Sequence, residues 1–183
     1  AHSYLECMIK NSGDGNFEKE CELSPEVSKC LSENFSTDDR NELSSICRLM
    51  AENFAESTLG KMALEAKNSG RLCKTENNFK MNLMDTVFKG SVDLFFENED
   101  GTFTLVDYKT DEKINPEKYF EQQASYRFAL KKIYGIETDR CYLHFLRFDR
   151  PLDITDEVKS ISEETIIKKL KAYEKKQKEL NSN

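Results

Sequence analysis

The sequence predicts an α/β fold in which a mixed sheet is covered by helices, and three observations carry that expectation. The first 70 residues read almost wholly as helix. From residue 72 onward, β-branched and aromatic runs separated by turn residues read as a strand meander, followed by helix, strand and helix. The third is size: 183 residues, 38% apolar, with 7 Gly and 3 Pro, suit one packed domain and neither a fibre nor a long disordered tail.

Residues 2–10 read as a short helix with Leu5, Met8 and Ile9 on one side. Ser12-Gly13-Asp14-Gly15 is a loop by its turn chemistry. Ser24-Pro25 opens a second helix, a capping residue followed by proline at the first helical position. Ser36 or Thr37 caps a longer helix whose apolar residues Leu43, Ile46, Cys47, Met50 and Phe54 follow the helical period. A fourth, from about Ser57 to Lys67, stops at Asn68-Ser69-Gly70, where glycine supplies the left-handed conformation of a helix end.

Residues 72–82 and 86–97 read as strands, Asn98-Glu99-Asp100-Gly101 as a hairpin loop and Thr102 to Lys109 as the returning strand. Asn115-Pro116-Glu117 starts an amphipathic helix to about Tyr134, closed by Gly135, and Cys141 to Phe148 is a further strand. A last helix, from Ser160 or Ser162, carries Ile166, Ile167, Leu170 and Tyr173 on one side and lysines on the other. The expected organisation is one domain over 1–183, with a mainly helical part (1–70), a sheet and helix (71–150) and a C-terminal helix (151–183).

Composition narrows the function. The net charge of −7 is concentrated in residues 1–70, which hold 13 acidic and 7 basic side chains. That balance argues against an autonomous high-affinity nucleic-acid binder, but leaves room for an enzyme that receives nucleic acid from a neighbour. No apolar run approaches the ~18 residues of a membrane helix, and no secretory signal opens the chain, so a soluble, cytoplasmic location is expected. The chain begins at Ala1 and is expected to be part of something longer. Its six cysteines, at 7, 21, 30, 47, 73 and 141, lack the spacing of a metal or cluster ligand set and read as reduced thiols.

The informative stretch is 90–126. Asp107 and Lys109 are two apart on one strand and so share a face, and Asp93 lies across the hairpin. Two carboxylates converging on one ammonium form a minimal kit for metal-assisted hydrolysis. The carboxylates offer hard oxygen ligands to Mg²⁺ or Mn²⁺, and the lysine can hold a water or offset charge building on phosphorus. By itself D-x-K is a short motif that also arises as an ordinary surface pair. Register decides whether the kit exists. A two-residue turn at Asp100-Gly101 would place the two aspartates on opposite faces, so a shared site demands a three- or five-residue loop or a bulge. On this reading neither Asp107 nor Lys109 is a core residue.

Gly90-Ser91-Val92-Asp93-Leu94-Phe95-Phe96, then Leu105-Val106-Asp107-Tyr108-Lys109-Thr110-Asp111, then Gln122-x-x-x-Tyr126, closely resemble the nuclease domain of the RecB/AddA helicase–nuclease family, within the PD-(D/E)XK nuclease superfamily. His2-Ser3-Tyr4-Leu5-Glu6 resembles the histidine-bearing element near the start of that domain. The resemblance runs from residue 2 to about 148. It implies a restriction-endonuclease-like core with a helical N-terminal region, acting as a Mg²⁺- or Mn²⁺-dependent DNA exonuclease. It further implies metal ligation by His2, Asp93, Asp107 and the Tyr108 carbonyl, with Lys109 as the catalytic lysine. Gln122 and Tyr126 would position DNA or support the site, Gln123 is the competing glutamine, and Glu76 stands where many relatives carry a glutamate. The iron–sulfur branch of the family is not expected, because only Cys141 follows the catalytic strands. The implied partners are single-stranded DNA, helicase domains of the same chain and a second helicase–nuclease subunit, in double-strand break repair and recombination. Two alternatives stay open: a nuclease-like domain that binds DNA or a partner without cutting, and a free-standing RecB-like exonuclease.

Overall fold

The structure, a computed structural model, describes residues 1–10, 25–83 and 86–180, without the side chains of 25–27, 83, 86 and 173–180. The loop expected at 12–15, Ser24 and Cys21 lie outside the described residues, as does the side chain of Tyr173. Helices α1 (His2–Lys10), α2 (Pro25–Asn34), α3 (Thr37–Glu56) and α4 (Thr58–Asn68) come first. Ser36 caps α3 in a capping box with Asp39, and Ser57 ends α3 and caps α4 in the same residue. Strands β1 (Cys73–Leu83), β2 (Thr86–Glu97) and β3 (Phe103–Lys109) then run as an antiparallel meander.

Helix α5 (Phe120–Tyr134), entered through one 3-10 turn and closed by Gly135 at φ 70°, carries the chain over to β4 (Arg140–Phe145), which is parallel to β3. The sheet order is β1-β2-β3-β4-β5, and the one parallel pair makes it mixed. Residues 146–148, expected as strand, are a 3-10 turn. After it come two unexpected elements, β5 (Arg150–Asp153) and α6 (Thr155–Ser160), before α7 (Glu163–Leu180). Pro151 hides β5 from the sequence pattern: proline argues against a strand unless the strand is an edge, and β5 pairs with β4 alone.

Each face of the sheet is covered. Leu94, Phe96, Val106 and Tyr108 pack under α1, α3 and α4, with Leu5, Ile9, Phe54 and Ala63. Leu105, Cys141, Leu143 and Phe145 pack under α5, α6 and α7, with Phe128, Leu130, Val158 and Ile166. Phe54 sets its ring edge-on to Tyr108 and His144 at centroid distances of 4.9 and 5.0 Å, so one side chain ties α3 to both parallel strands. The helical period in α3 marks an apolar stripe correctly, but only its C-terminal end, Ala51 and Phe54, is buried; Leu43 and Ile46 stay exposed. Periodicity says which face is apolar, not what covers it.

The α3–α4 junction leaves no room for a side chain at Gly60. A Cβ there would lie 2.0 Å from the Phe54 carbonyl oxygen and 2.8 Å from the Ala55 Cα. Gly60→Ala is expected to destabilise the fold by about 1–3 kcal/mol, read as a lowered melting temperature. An unchanged melting temperature would mean that the two helices pack less closely than described.

Candidate active site

The register of the β2–β3 hairpin pairs Leu94 with Val106, Phe95 with Leu105, Phe96 with Thr104 and Glu97 with Phe103. The even register comes from a three-residue loop, Glu99-Asp100-Gly101. The Asn98 N–H donates to the Thr102 carbonyl (2.8 Å), the Gly101 N–H donates to the Asn98 carbonyl (3.1 Å), and Gly101 takes φ 78°. Continued one step, this register sets Asp93 against Asp107. There the ladder opens. The Asp93 carboxylate itself accepts the Tyr108 N–H at 2.8 Å, so the side chain is held in the gap between β2 and β3.

A second local irregularity aims the group. Val92 packs with the α5 side of the sheet, whereas Leu94, two residues on, packs with the α1 side; a regular strand would put both on one face. Strand β1 switches in step, Cys73 facing α1 and Phe79 facing α5. The β1–β2 ladder skips Glu76 and Asp93, and Glu76 holds φ 44°, a left-handed conformation that costs a non-glycine residue about 1–3 kcal/mol. The paired switch turns Glu76 and Asp93 toward the start of α1. His2 Nδ1 there lies 3.4 Å from a Glu76 oxygen and 3.8 Å from an Asp93 oxygen. The three ligand atoms all fall within 4.8 Å of one another.

Burial, and next the charge of Asp107, push the Asp93 carboxyl up to about 7, against the pull of His2 and the Tyr108 N–H. Glu76 raises His2, with Asp93 adding to the effect and burial opposing it. Asp107 is 2% exposed and so belongs to the interior, contrary to the expectation from its strand position. Burial raises its carboxyl, and the Lys109 ammonium ion-paired with its Oδ2 holds it down. Lys109 also donates to the Gln122 side-chain oxygen Oε1 at 3.2 Å and stands 3.9 Å above the Tyr119 ring. The Gln122 amide donates to the Tyr126 hydroxyl at 2.8 Å, and the Tyr119 hydroxyl donates to Asp111 at 2.6 Å.

Of the residues singled out in the sequence, the structure gathers His2, Glu76 and Asp93 at one end of the site and Asp107, Lys109, Gln122 and Tyr126 at the other. Glu76, expected as support, stands among the donor atoms, while Asp107 engages Lys109. Tyr108 contributes its N–H to Asp93 and its ring, edge-on, to His2. Gln123 is fully buried beside Asp107, so the adjacent glutamines face different parts of the site. Tyr119 is a site residue that sequence reasoning missed, although its place three residues before Gln122, one helical turn away, was a usable signal. Gly90 is needed for close packing: a Cβ would meet the Phe79 ring at 2.7 Å and the Tyr126 ring at 3.4 Å. Cys30, Cys47, Cys73 and Cys141 are free thiols, and burial pushes Cys73 up to about 11 and Cys141 up to about 12, values at which neither of these two is a nucleophile near neutral pH.

A mixed sheet between helical layers, with Gly90-x-x-Asp93 and Asp107-x-Lys109 on neighbouring strands, defines a nuclease-type core. The chain belongs to the PD-(D/E)XK nuclease superfamily, which it matches over residues 1–182. It is similar to an ATP-dependent helicase/nuclease subunit of Clostridium perfringens strain SM101, 27% identical over an alignment of 158 residues that covers 74% of this chain and 12% of that protein. The protein of the same name from Listeria monocytogenes serotype 4b is 35% identical over 116 residues, 50% of this chain and 9% of that protein. The chain spans about a tenth of the length of these relatives. No helix among the described residues is long and apolar enough to cross a membrane.

Proposed function

We propose that this chain is the nuclease module of a cytoplasmic helicase–nuclease, hydrolysing phosphodiester bonds in single-stranded DNA with Mg²⁺ or Mn²⁺. The observation that carries the reading is the gathering of Asp93, Asp107 and Lys109 with His2 and Glu76 in one partly buried cluster. The donor set suits a hard divalent cation: carboxylate oxygens and one imidazole nitrogen, within 4.8 Å of one another at His2, Glu76 and Asp93. The raised Asp93 carboxyl is a second sign of fit, because burial and crowded negative charge are what a bound cation relieves.

His2, Asp93 and Glu76 would hold the cation, with Asp107 beside them. Bound there, it supplies Lewis-acid polarisation of a phosphate oxygen and of the attacking water. Lys109, steadied by Asp107, Gln122 and the Tyr119 ring, offers a fixed positive charge to the phosphate as negative charge builds on it. Water adds to phosphorus, the bond to one ester oxygen breaks, and that oxygen leaves with a proton. Tyr126, held by Gln122, would help to position a base or sugar of the strand. Similarity to helicase/nuclease subunits supports motor domains that deliver the strand, a partnership with a second helicase–nuclease subunit, and a role in double-strand break repair and recombination.

The test is incubation of the purified chain with labelled single-stranded DNA and Mg²⁺ or Mn²⁺. Cleavage that stops in EDTA is expected. Tight DNA binding without cleavage in either metal would replace the enzyme reading with that of a binding module.

A further inference from the structure

The β1–β2 hairpin continues past the site for several residues on each strand. Its face toward α5 is filled by Phe79, Met81 and Phe88. The other face holds the cross-strand pairs Asn78–Ser91, Lys80–Lys89 and Asn82–Val87. This is the same face as the donor cluster, because the Ser91 hydroxyl donates to Glu76 at 3.4 Å.

Lys80 and Lys89 stand directly opposite one another, both exposed. Like charges at directly opposed sheet positions destabilise the pair, and among the described residues neither lysine has an ion-pair partner. No acidic residue shares these six positions, in a chain whose net charge is −7. A repulsive pair kept free of counter-charge beside the acidic donor cluster is a local cationic feature that the overall charge conceals. From Glu76 and Asp93 it lies four residues along each strand, about 13 Å at ~3.3 Å per residue. That distance spans a few successive phosphates of a nucleic acid strand.

We infer that the Lys80–Lys89 face of the hairpin is the track for the phosphate backbone of the DNA strand entering the site, with Asn78, Asn82 and Ser91 as uncharged hydrogen-bonding partners. The inference rests on the nuclease reading for the position of the scissile phosphate. Contacts of this kind grip the backbone without reading sequence. They account for how a chain with a net negative charge engages a polyanion.

The experiment is binding of a fluorescein-labelled oligothymidylate to the chain by anisotropy in Ca²⁺ across a salt series, together with cleavage kinetics in Mg²⁺. The Lys80→Ala/Lys89→Ala variant is expected to bind about tenfold or more weakly at low salt. Its slope of log affinity against log salt should be shallower by about 1.4, the value for two phosphate contacts on a single strand. Its kcat at saturating DNA should match that of the unaltered chain, Lys80→Arg/Lys89→Arg should restore both affinity and slope, and the melting temperature should not fall. An unchanged affinity and slope in the alanine variant would overturn the track, even if cleavage is intact and depends on Asp107. A shallower slope in a chain that cuts nothing would instead keep the track and refute the nuclease reading.

Discussion

Asp107→Asn should lower the rate of DNA cleavage by about a thousandfold or more, the scale of losing one charged group from a preorganised hydrolytic site. The amide has the shape of the carboxylate and suits the buried position, and Lys109 keeps Gln122 and the Tyr119 ring, so the fold should survive. Lys109→Ala should abolish cleavage to a similar degree, but its structural cost differs. Asp107 would be left interior without the ammonium that offsets it, and stripping one partner from such a pair costs about 3–5 kcal/mol. Divalent-metal affinity should fall in Asp107→Asn and be largely spared in Lys109→Ala. Pairing the two substitutions separates the effects: Asp107→Asn/Lys109→Ala should be as inactive as either alone, yet more stable than Lys109→Ala. Gel assays of single-stranded DNA cleavage and thermal melts read both. Activity near that of the unaltered chain in Asp107→Asn would refute the mechanism.

The second large effect is on stability and its dependence on pH. The folded Asp93 carboxyl sits at about 7, against 3.8 as the ordinary value for aspartate. Between those values the folded chain binds more protons at this position than the unfolded chain, so stability falls as pH rises from about 4 to about 7. For an isolated group the loss would be on the order of 4 kcal/mol. His2, raised chiefly by Glu76, acts in the same direction: its contribution is present at low pH and lost as pH climbs through its folded value, which adds to the decline. In EDTA the melting temperature should therefore decline between pH 5 and pH 7. Adding Mn²⁺ at pH 7 should restore it, because the cation replaces the proton as the counter-charge. Asp93→Asn should melt higher than the unaltered chain in EDTA at pH 7 and gain much less from Mn²⁺. A flat EDTA profile would show that Asp93 is ionised without penalty in the folded chain.

The α/β class, the helices of residues 1–70, the meander and the crossover helix were legible because each rests on local chemistry: apolar period, Ser36 and Ser57 as caps, Gly70 and Gly135 at left-handed helix ends. The grouping of Asp93, Asp107 and Lys109 was legible for a different reason. Strand alternation reduces it to a parity argument, and parity alone required an odd loop at Asp100, against the local preference for a two-residue turn. The observed three-residue loop meets that requirement.

What the sequence could not show depends on contacts between distant segments. The positive φ of Glu76 and the simultaneous face switch of β1 and β2 exist because two strands bend together, and no single strand's pattern records that. Glu76 enters the donor cluster only through this bend. Asp107 is buried because α5 lays Gln123 over it, a fact of packing that alternation along β3 cannot contain. The sequence by itself determined which residues share a face along each regular stretch of helix or strand and which residue types could do the chemistry, since both follow from backbone periodicity and side-chain identity. Only the tertiary structure decided how those faces bend toward one another and how deeply the charges are buried. Distance and desolvation, which set the pairing and the pKa values, arise from segments more than a dozen residues apart in the chain.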